Sequence, residues 1–279
     1  MIEIKYNRMN LLQPFLILLG CFFLVNLAGV NLRAQGMSAD EIVRKANIVA
    51  YYAGADGRSS VRLTIVDPAG NKRYRQFNIV RRDVADAGDQ LYLVHFSRPA
   101  DVRNTVFLVK KRAQGDDDRW LYLPDLDLVK RISAGDKRTS FVGSHFLYED
   151  VSGRRVSDDA HKLVETTAEH YVIENTPKDK SGVEFSSWKV WIDKKTFLPV
   201  KMEYTDGGGK VYRRIEAVET DVIQGHPTVT KMKVSDLANG GYTLAELRNI
   251  DYDINVPESV FAEKSLRNPP MSLLTGRGE

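Results

Sequence analysis

Past residue 57 the chain leaves helical spacing and alternates apolar and polar positions in short runs broken by turns. In SVRLTIVDPAGNKRYRQFNIVRR, Val61, Leu63 and Ile65 occupy every second position. Asp67-Pro68-Ala69-Gly70-Asn71 is a turn, and Tyr74, Phe77 and Ile79 resume the pattern. QLYLVHFSRP, NTVFLVKK and RWLYLP follow, and then a long series from KLVETT to RNIDYDI, jointed at Gly207-Gly208-Gly209, Gly225-His226-Pro227 and Asn239-Gly240-Gly241. About ten strands joined by short turns can only pair as an antiparallel meander, since parallel strands need long crossovers. No repeat of fixed period interrupts the series, so a single mainly β domain with few helices is expected.

One helix precedes the strands. Ser38 and Glu41 make an S-x-x-E capping box, and Ile42, Val43, Ala46, Val49 and Tyr52 recur at helical spacing until Gly54 and Asp56-Gly57. Before it, MIEIKYNRMN supplies Lys5 and Arg8, Met9 to Leu32 is largely apolar, and Ala34 is a small residue ahead of polar sequence. This is the layout of an export signal, expected over residues 1–34, with residues 35–279 as the mature domain. Two alternatives stand beside cleavage near Ala34. One is an uncleaved anchor over Met9 to Leu32, although Gln13, Pro14 and Asn26 interrupt it. The other is lipidation of Cys21, since LLGC loosely resembles the bacterial lipoprotein cleavage box.

The 43% hydrophobic and 28% charged residues fit a folded body and exclude general disorder. Residues 1–34 hold Lys5, Arg8 and Arg33 against Glu3, so the net charge of +3 falls to near +1 in the mature chain. A nucleic-acid partner is not expected. Cys21 is the only cysteine, which removes disulfides, thiol nucleophiles and thiolate metal sites from the mature body. The five histidines, His95, His145, His161, His170 and His226, show no i, i+4 zinc spacing. Asp116-Asp117-Asp118 lacks the alternation of a calcium loop and reads as a solvated turn. Gly143-Ser144-His145 is not a G-x-S-x-G elbow. Glu149-Asp150 reads as a surface pair because neighbouring side chains diverge. No enzyme and no cofactor are expected, and the protein is expected to be a monomer.

The least strand-like region, Pro124 to Lys162, follows a strand that breaks the alternation. Trp120, Leu121, Tyr122 and Leu123 are apolar in succession, so both faces of that strand must be covered. The cover expected for the second face is the aromatic cluster FVGSHFLYED, where Phe141, His145 and Tyr148 fall near one side of a short helix with Phe146 beside them. The picture is a curved sheet with a helical flap over its concave side. Its apolar candidates are Trp120, Leu121 and Tyr122 on the strand and Phe141, Phe146 and Tyr148 on the flap. Arg131 and Arg138 are candidates to meet an anionic headgroup at the rim. Periodicity alone leaves a filled core and a greasy cavity equally open. Near the C-terminus, Pro257 is expected to start a closing helical turn in PESVFAEKSL.

DRWLYLPDLDLVKRISAGDKRTSFVGSHFLYEDV resembles the central signature of the outer-membrane lipoprotein-sorting family, the LolA-like proteins. Members carry a similar DRWLYLP, a basic K-R-I-S step and S-F-x-G-S-x-F-x-Y-E-D. ADEIVRKA, FSRPADVRNTVFLV and WIDKKTFLPVKMEYTD extend the likeness over most of residues 38–265, in the longer branch of the family. The resemblance implies an incomplete antiparallel β-barrel with a helical lid over a hydrophobic cavity. It also implies periplasmic carriage of the acyl chains of a lipoprotein or lipid, in partnership with an inner-membrane lipid transporter. The alternative it leaves is an envelope sensor or adaptor that binds a membrane partner through the same cup.

Overall fold

The computed structural model describes residues 36–276; the export signal expected over residues 1–34, and Cys21 within it, lie outside the described residues. Helix α1 (Ala39–Tyr51) starts on the expected capping box: the Ser38 hydroxyl accepts from the Glu41 N–H, and the Glu41 carboxylate accepts from the Ser38 N–H at 2.7 Å. The first run of strands is β1 (Asp56–Val66), β2 (Lys72–Asp83), β3 (Gln90–Arg98), β4 (Val106–Lys111), β5 (Asp118–Leu123) and β6 (Leu128–Arg131). The second is β7 (Asp159–Thr166), β8 (His170–Pro177), β9 (Ser187–Asp193), β10 (Pro199–Thr205), β11 (Val211–Ile223), β12 (His226–Asp236) and β13 (Tyr242–Tyr252). Three short helices complete the described residues: α2 (Tyr148–Ser152), α3 (Lys264–Arg267) and α4 (Met271–Thr275).

All thirteen strands form one antiparallel sheet in the order β6-β5-β4-β3-β2-β1-β13-β12-β11-β10-β9-β8-β7. The first strand pairs with the last, from Gly57 opposite Tyr252 to Val66 opposite Tyr242. The two free edges are therefore β6 and β7, which are neighbours in sequence, and the sheet is a barrel left open at the middle of the chain. Residues 132–158 join these edges and form the lid.

Alternation fixes which face each strand turns inward. Val61, Phe77 and Phe96 are opposed across β1, β2 and β3, and Val94, Phe107 and Leu121 across β3, β4 and β5. These six residues belong to one buried cluster with Phe141 and Tyr148 of the lid. The other face of β3 and β4 is buried as well. Leu91, Leu93, Val106 and Leu108 pack against Val256, Val260, Phe261 and Leu266 of the C-terminal segment. Asp56, 3% exposed, tethers that segment by accepting the Ile254 and Val256 N–H groups, both at 2.8 Å.

This C-terminal cover corrects the expectation for RWLYLP. Leu121 faces the lid, but Trp120 and Tyr122 stand on the opposite face and pack with the C-terminal cluster. Both faces are covered, the outer one only in part, since Trp120 and Tyr122 are half-buried; the second cover is residues 254–274 instead of the aromatic flap. Pro257 does cap a closing helical turn, the 3₁₀ turn Glu258–Phe261. The short helix of the lid is limited to Tyr148–Ser152, and residues 140–147 form a tight loop closed by a bridge between Ser140 and Leu147.

Phe261 is 2% exposed at the centre of the outer cover. Phe261→Ala is expected to cost about 3–5 kcal/mol, the range for deleting a buried aromatic ring. Leu126→Ala, at a residue 70% exposed, is expected to stay within about 0.5 kcal/mol. Urea unfolding midpoints of the two variants check the contrast.

Candidate functional site: a lidded apolar cavity

The interior is filled unevenly. On the β2–β4 side, the Phe141 ring lies 6.1 Å from that of Phe77, 5.6 Å from Phe96, 5.5 Å from Phe107 and 5.5 Å from Tyr148. These are ordinary separations for aromatic pairs in contact. On the other side, between α1, the lid and β9–β13, an apolar cavity of about 360 Å³ remains. That volume lies near the lower end of the range of about 300–1,000 Å³ for small-molecule sites.

Its walls come from α1, β1, the lid and the late strands, with Phe77 and Ile79 of β2; the lid's Glu149, Asp150 and Arg154 also line it. Val43 and Ala46 belong to the inward stripe of α1, which anchors on Ile173, Val190 and Ile192. Val61 and Leu63 face it from β1, and Phe141, Phe146 and Val151 from the lid. Met202, Tyr204, Ile215, Met232 and Ala245 complete it from the late strands. Unbranched methionines suit a wall that adapts to different contents. Gly153 lets the lid reach α1: its φ is +76°, and a Cβ there would lie 2.4 Å from the Tyr51 ring.

The candidate residues separate clearly. Phe141 and Phe146 line the cavity; Leu121 and Tyr148 sit behind them in the aromatic cluster. Trp120 and Tyr122 lie on the outer face, where Arg267 stands over the Tyr122 ring at 5.3 Å. Arg131 is exposed on the edge strand β6 and pairs with Asp118 at 2.5 Å. Arg138 is committed elsewhere: its side chain is 6% exposed and grips Glu184 with two bonds of 2.8 and 2.6 Å. The wall contributed by α1 and the late strands escaped the sequence reading. Its signal was present in the inward positions Met202, Tyr204, Ile215 and Met232, but nothing in periodicity distinguishes a void from a packed core.

The lid is fastened by ions as well as rings. Glu149 is buried, not on the surface as its sequence setting suggested. It accepts Arg138 at 2.7 Å and lies 3.5 Å from both Lys137 and Arg154. Asp150 holds Arg213 of β11 and accepts the Leu147 N–H at 2.7 Å. Arg154 binds Asp159 of β7 through two bonds of 2.8 and 2.9 Å. Lys111 of β4 donates to the Ser152 carbonyl at 2.5 Å, at the end of α2. Asp117, in the turn expected to be solvated, is also buried, paired with Arg119 at 2.5 Å.

Burial alone would raise the Glu149 and Glu184 carboxyls; Arg138 outweighs it at both. Lys137 and Arg154 assist at Glu149, which is held below its usual range. The Tyr212 hydroxyl assists at Glu184, which falls to about 2. Burial pulls Lys111 down to about 8. Among the described residues no group of three or more His, Cys, Asp or Glu side chains is placed to hold a metal, and no helix is long and apolar enough to cross a membrane.

The known proteins similar to this chain share this architecture. A DUF1329 family protein from Desulfovibrio piger is 29% identical, over 81% of this chain and 95% of that one, with a TM-score of 0.73. A domain from Vibrio parahaemolyticus, classed with outer membrane lipoprotein-sorting proteins, is 25% identical over 82% and 98%, with a TM-score of 0.74. A LolA superfamily protein from Nitrosomonas europaea, 20% identical over 82% and 99% with a TM-score of 0.64, shares the fold. No curated protein matches. The open sheet and its lid define a LolA-like fold. Within it, the chain belongs to the family whose model, described as "Uncharacterized protein", matches residues 88–268.

Glu149→Gln leaves three buried or half-buried cations short of a partner, and loss of one member of a buried pair costs about 3–5 kcal/mol. The variant is expected to lose thermal stability and lid amide protection together, read by hydrogen exchange over residues 137–155. The lid carboxylates also set a pH dependence. The folded pKa values of Glu149 and of its neighbour Glu184 lie below the unfolded ones, so their contribution is complete above the ordinary value of 4.5 and is lost as pH falls through the folded values, about 2 for Glu184. Lid protection factors, with the intrinsic exchange rate divided out, are expected to fall below about pH 4, and factors that hold constant down to about pH 3 would contradict the ionic fastening.

Proposed function

We propose that this protein is a periplasmic carrier that takes acyl chains of a lipoprotein or lipid into the cavity and works with an inner-membrane transporter. One observation carries the reading: a partly open, mainly apolar cavity of about 360 Å³ inside a fold whose other half is filled by rings in contact. An empty apolar cavity weakens a protein in proportion to its size. An apolar guest offsets that cost, and a lid keeps the guest from water. The likeness to the Vibrio parahaemolyticus domain, classed with lipoprotein sorting, supports the same cargo chemistry. So does the signal expected over residues 1–34, which would export residues 35–279.

In this reading Phe141 and Phe146 touch the chain, while Leu121 and Tyr148 hold Phe141 in position. Trp120 and Tyr122 support the outer cover. Arg131 is the exposed candidate for an anionic headgroup, since Arg138 is engaged with Glu184 and Glu149. Chemistry on the cargo is not part of the proposal; the site binds by excluding water from apolar surface.

The test is to purify the protein from the cell envelope, extract it with organic solvent and identify bound lipid by mass spectrometry. The stripped protein is then titrated with a fluorescent long-chain fatty acid. Ala217 is a half-buried wall residue, and Ala217→Trp overpacks the site. Overpacking costs about 1–3 kcal/mol, so affinity is expected to fall about 5- to 140-fold. A protein that yields no lipid, takes up no fatty acid, and instead cross-links stably to an inner-membrane protein would be an adaptor, and the carrier reading would be wrong.

A further inference from the structure

The cavity has a weak seam in its wall. Strands β11 and β12 pair down to Ile223 opposite His226, and β1 and β13 pair down to Gly57 opposite Tyr252. Between them, the β12–β13 ladder stops at Lys231 opposite Glu246. Residues 227–230 and 247–251 therefore run side by side without ladder hydrogen bonds, over about 15 Å of strand. Pro227, Thr228 and Val229 on one flank and Leu247 and Tyr252 on the other all line the cavity. Val222, opposite Pro227 in the β11–β12 hairpin and 64% exposed, carries the apolar surface outward from the seam.

The seam is latched at its outer end. The Tyr252 N–H donates to the Gln224 side-chain carbonyl at 2.7 Å, and the Gln224 amide donates to the Tyr252 carbonyl at 3.3 Å. The Thr228 and Tyr252 hydroxyls are hydrogen-bonded at 2.9 Å. Gln224 occupies a left-handed backbone position, φ +50°, ahead of Gly225 at φ +84°. Two-residue hairpin turns favour Asn, Asp or Gly at that first position. A glutamine there is the side chain that reaches across to Tyr252.

We propose that an alkyl chain enters and leaves the cavity through the β12–β13 seam, and that Gln224 and Tyr252 set the rate by latching it. Two other routes are more strongly held. Parting β1 from β2 breaks a ladder of eleven residue pairs. Lifting the lid pulls Phe141 from the three rings of β2, β3 and β4 and separates Arg138, Asp150 and Arg154 from Glu184, Arg213 and Asp159. Opening the seam breaks the three latch hydrogen bonds, the edge contact of the His226 and Tyr252 rings at 5.0 Å and the 3.9 Å approach of His226 to Asp253, all at one exposed end. The inference rests on the carrier reading and adds the path and its positioning residues.

The experiment is stopped-flow uptake and release of a fluorescent long-chain fatty acid, with the affinity measured separately at equilibrium. Gln224 is exposed, so Gln224→Ala leaves the fold intact. It is expected to speed both uptake and release about tenfold, the effect of losing two hydrogen bonds, with the affinity held within about twofold. Leu247→Trp, which blocks the seam from its flank, is expected to slow both steps. If Gln224→Ala exchanges at the wild-type rate while Glu149→Gln accelerates exchange, the path lies under the lid and the seam proposal is overturned. If the wild-type protein binds no fatty acid at equilibrium, the cavity reading fails first and the seam with it.

Discussion

A meander whose first and last strands pair must place its unpaired edges somewhere in the middle, and here they are β6 and β7. The rest of the protein is arranged around that opening. Twenty-seven residues, 132–158, have to travel from one edge to the other, and the shortest way to satisfy their apolar side chains is across the concave face. Phe141 then meets the rings on β2, β3 and β4. The polar residues around it meet partners contributed by β4, β7, β11 and the loop before β9. The lid is thus less an added part than the consequence of where the sheet is left open.

Rings and ions divide the work of holding it. The aromatic cluster is indifferent to pH, while the carboxylates of Glu149 and Glu184 are kept ionised by Arg138 well into acid. A wall that is well packed on one side and hollow on the other results, because Phe141 fills only the half of the interior it faces. Met202, Met232 and Ala245, on the far side, are too flexible or too small to fill the remainder.

Most of the architecture was legible in the sequence. Alternation and turn residues specified an antiparallel sheet, and Ser38 with Glu41 specified the start of α1. The apolar run at Trp120–Leu123 correctly required two covers, but misassigned one of them. Leu121 and Trp120 are neighbours in sequence and belong to different cores. The second cover was hidden because Val256 lies in irregular chain and Val260, Phe261, Leu266 and Leu274 come from short 3₁₀ and α turns, with no sustained period. Glu149 was misread for a related reason. Its partners Arg138, Lys137 and Arg154 are close in the chain, but only the fold buries them together. The cavity could not be read at all, since the residues that bound a space are the same as those that fill one.

The pairing of β1 with β13 also governs how the chain can assemble. Each half-meander is built from neighbouring hairpins and can organise as soon as its own residues are available. The join between halves brings together positions almost two hundred residues apart, Gly57 with Tyr252. Contacts of such long separation are the slow ones in folding. They also offer a route to exchange between copies: the half from β7 onward in one molecule can complete the half from β1 to β6 in another through the same ladder. Concentrated refolding of this protein should therefore yield intertwined dimers alongside the monomer, with the 132–158 segment as the hinge.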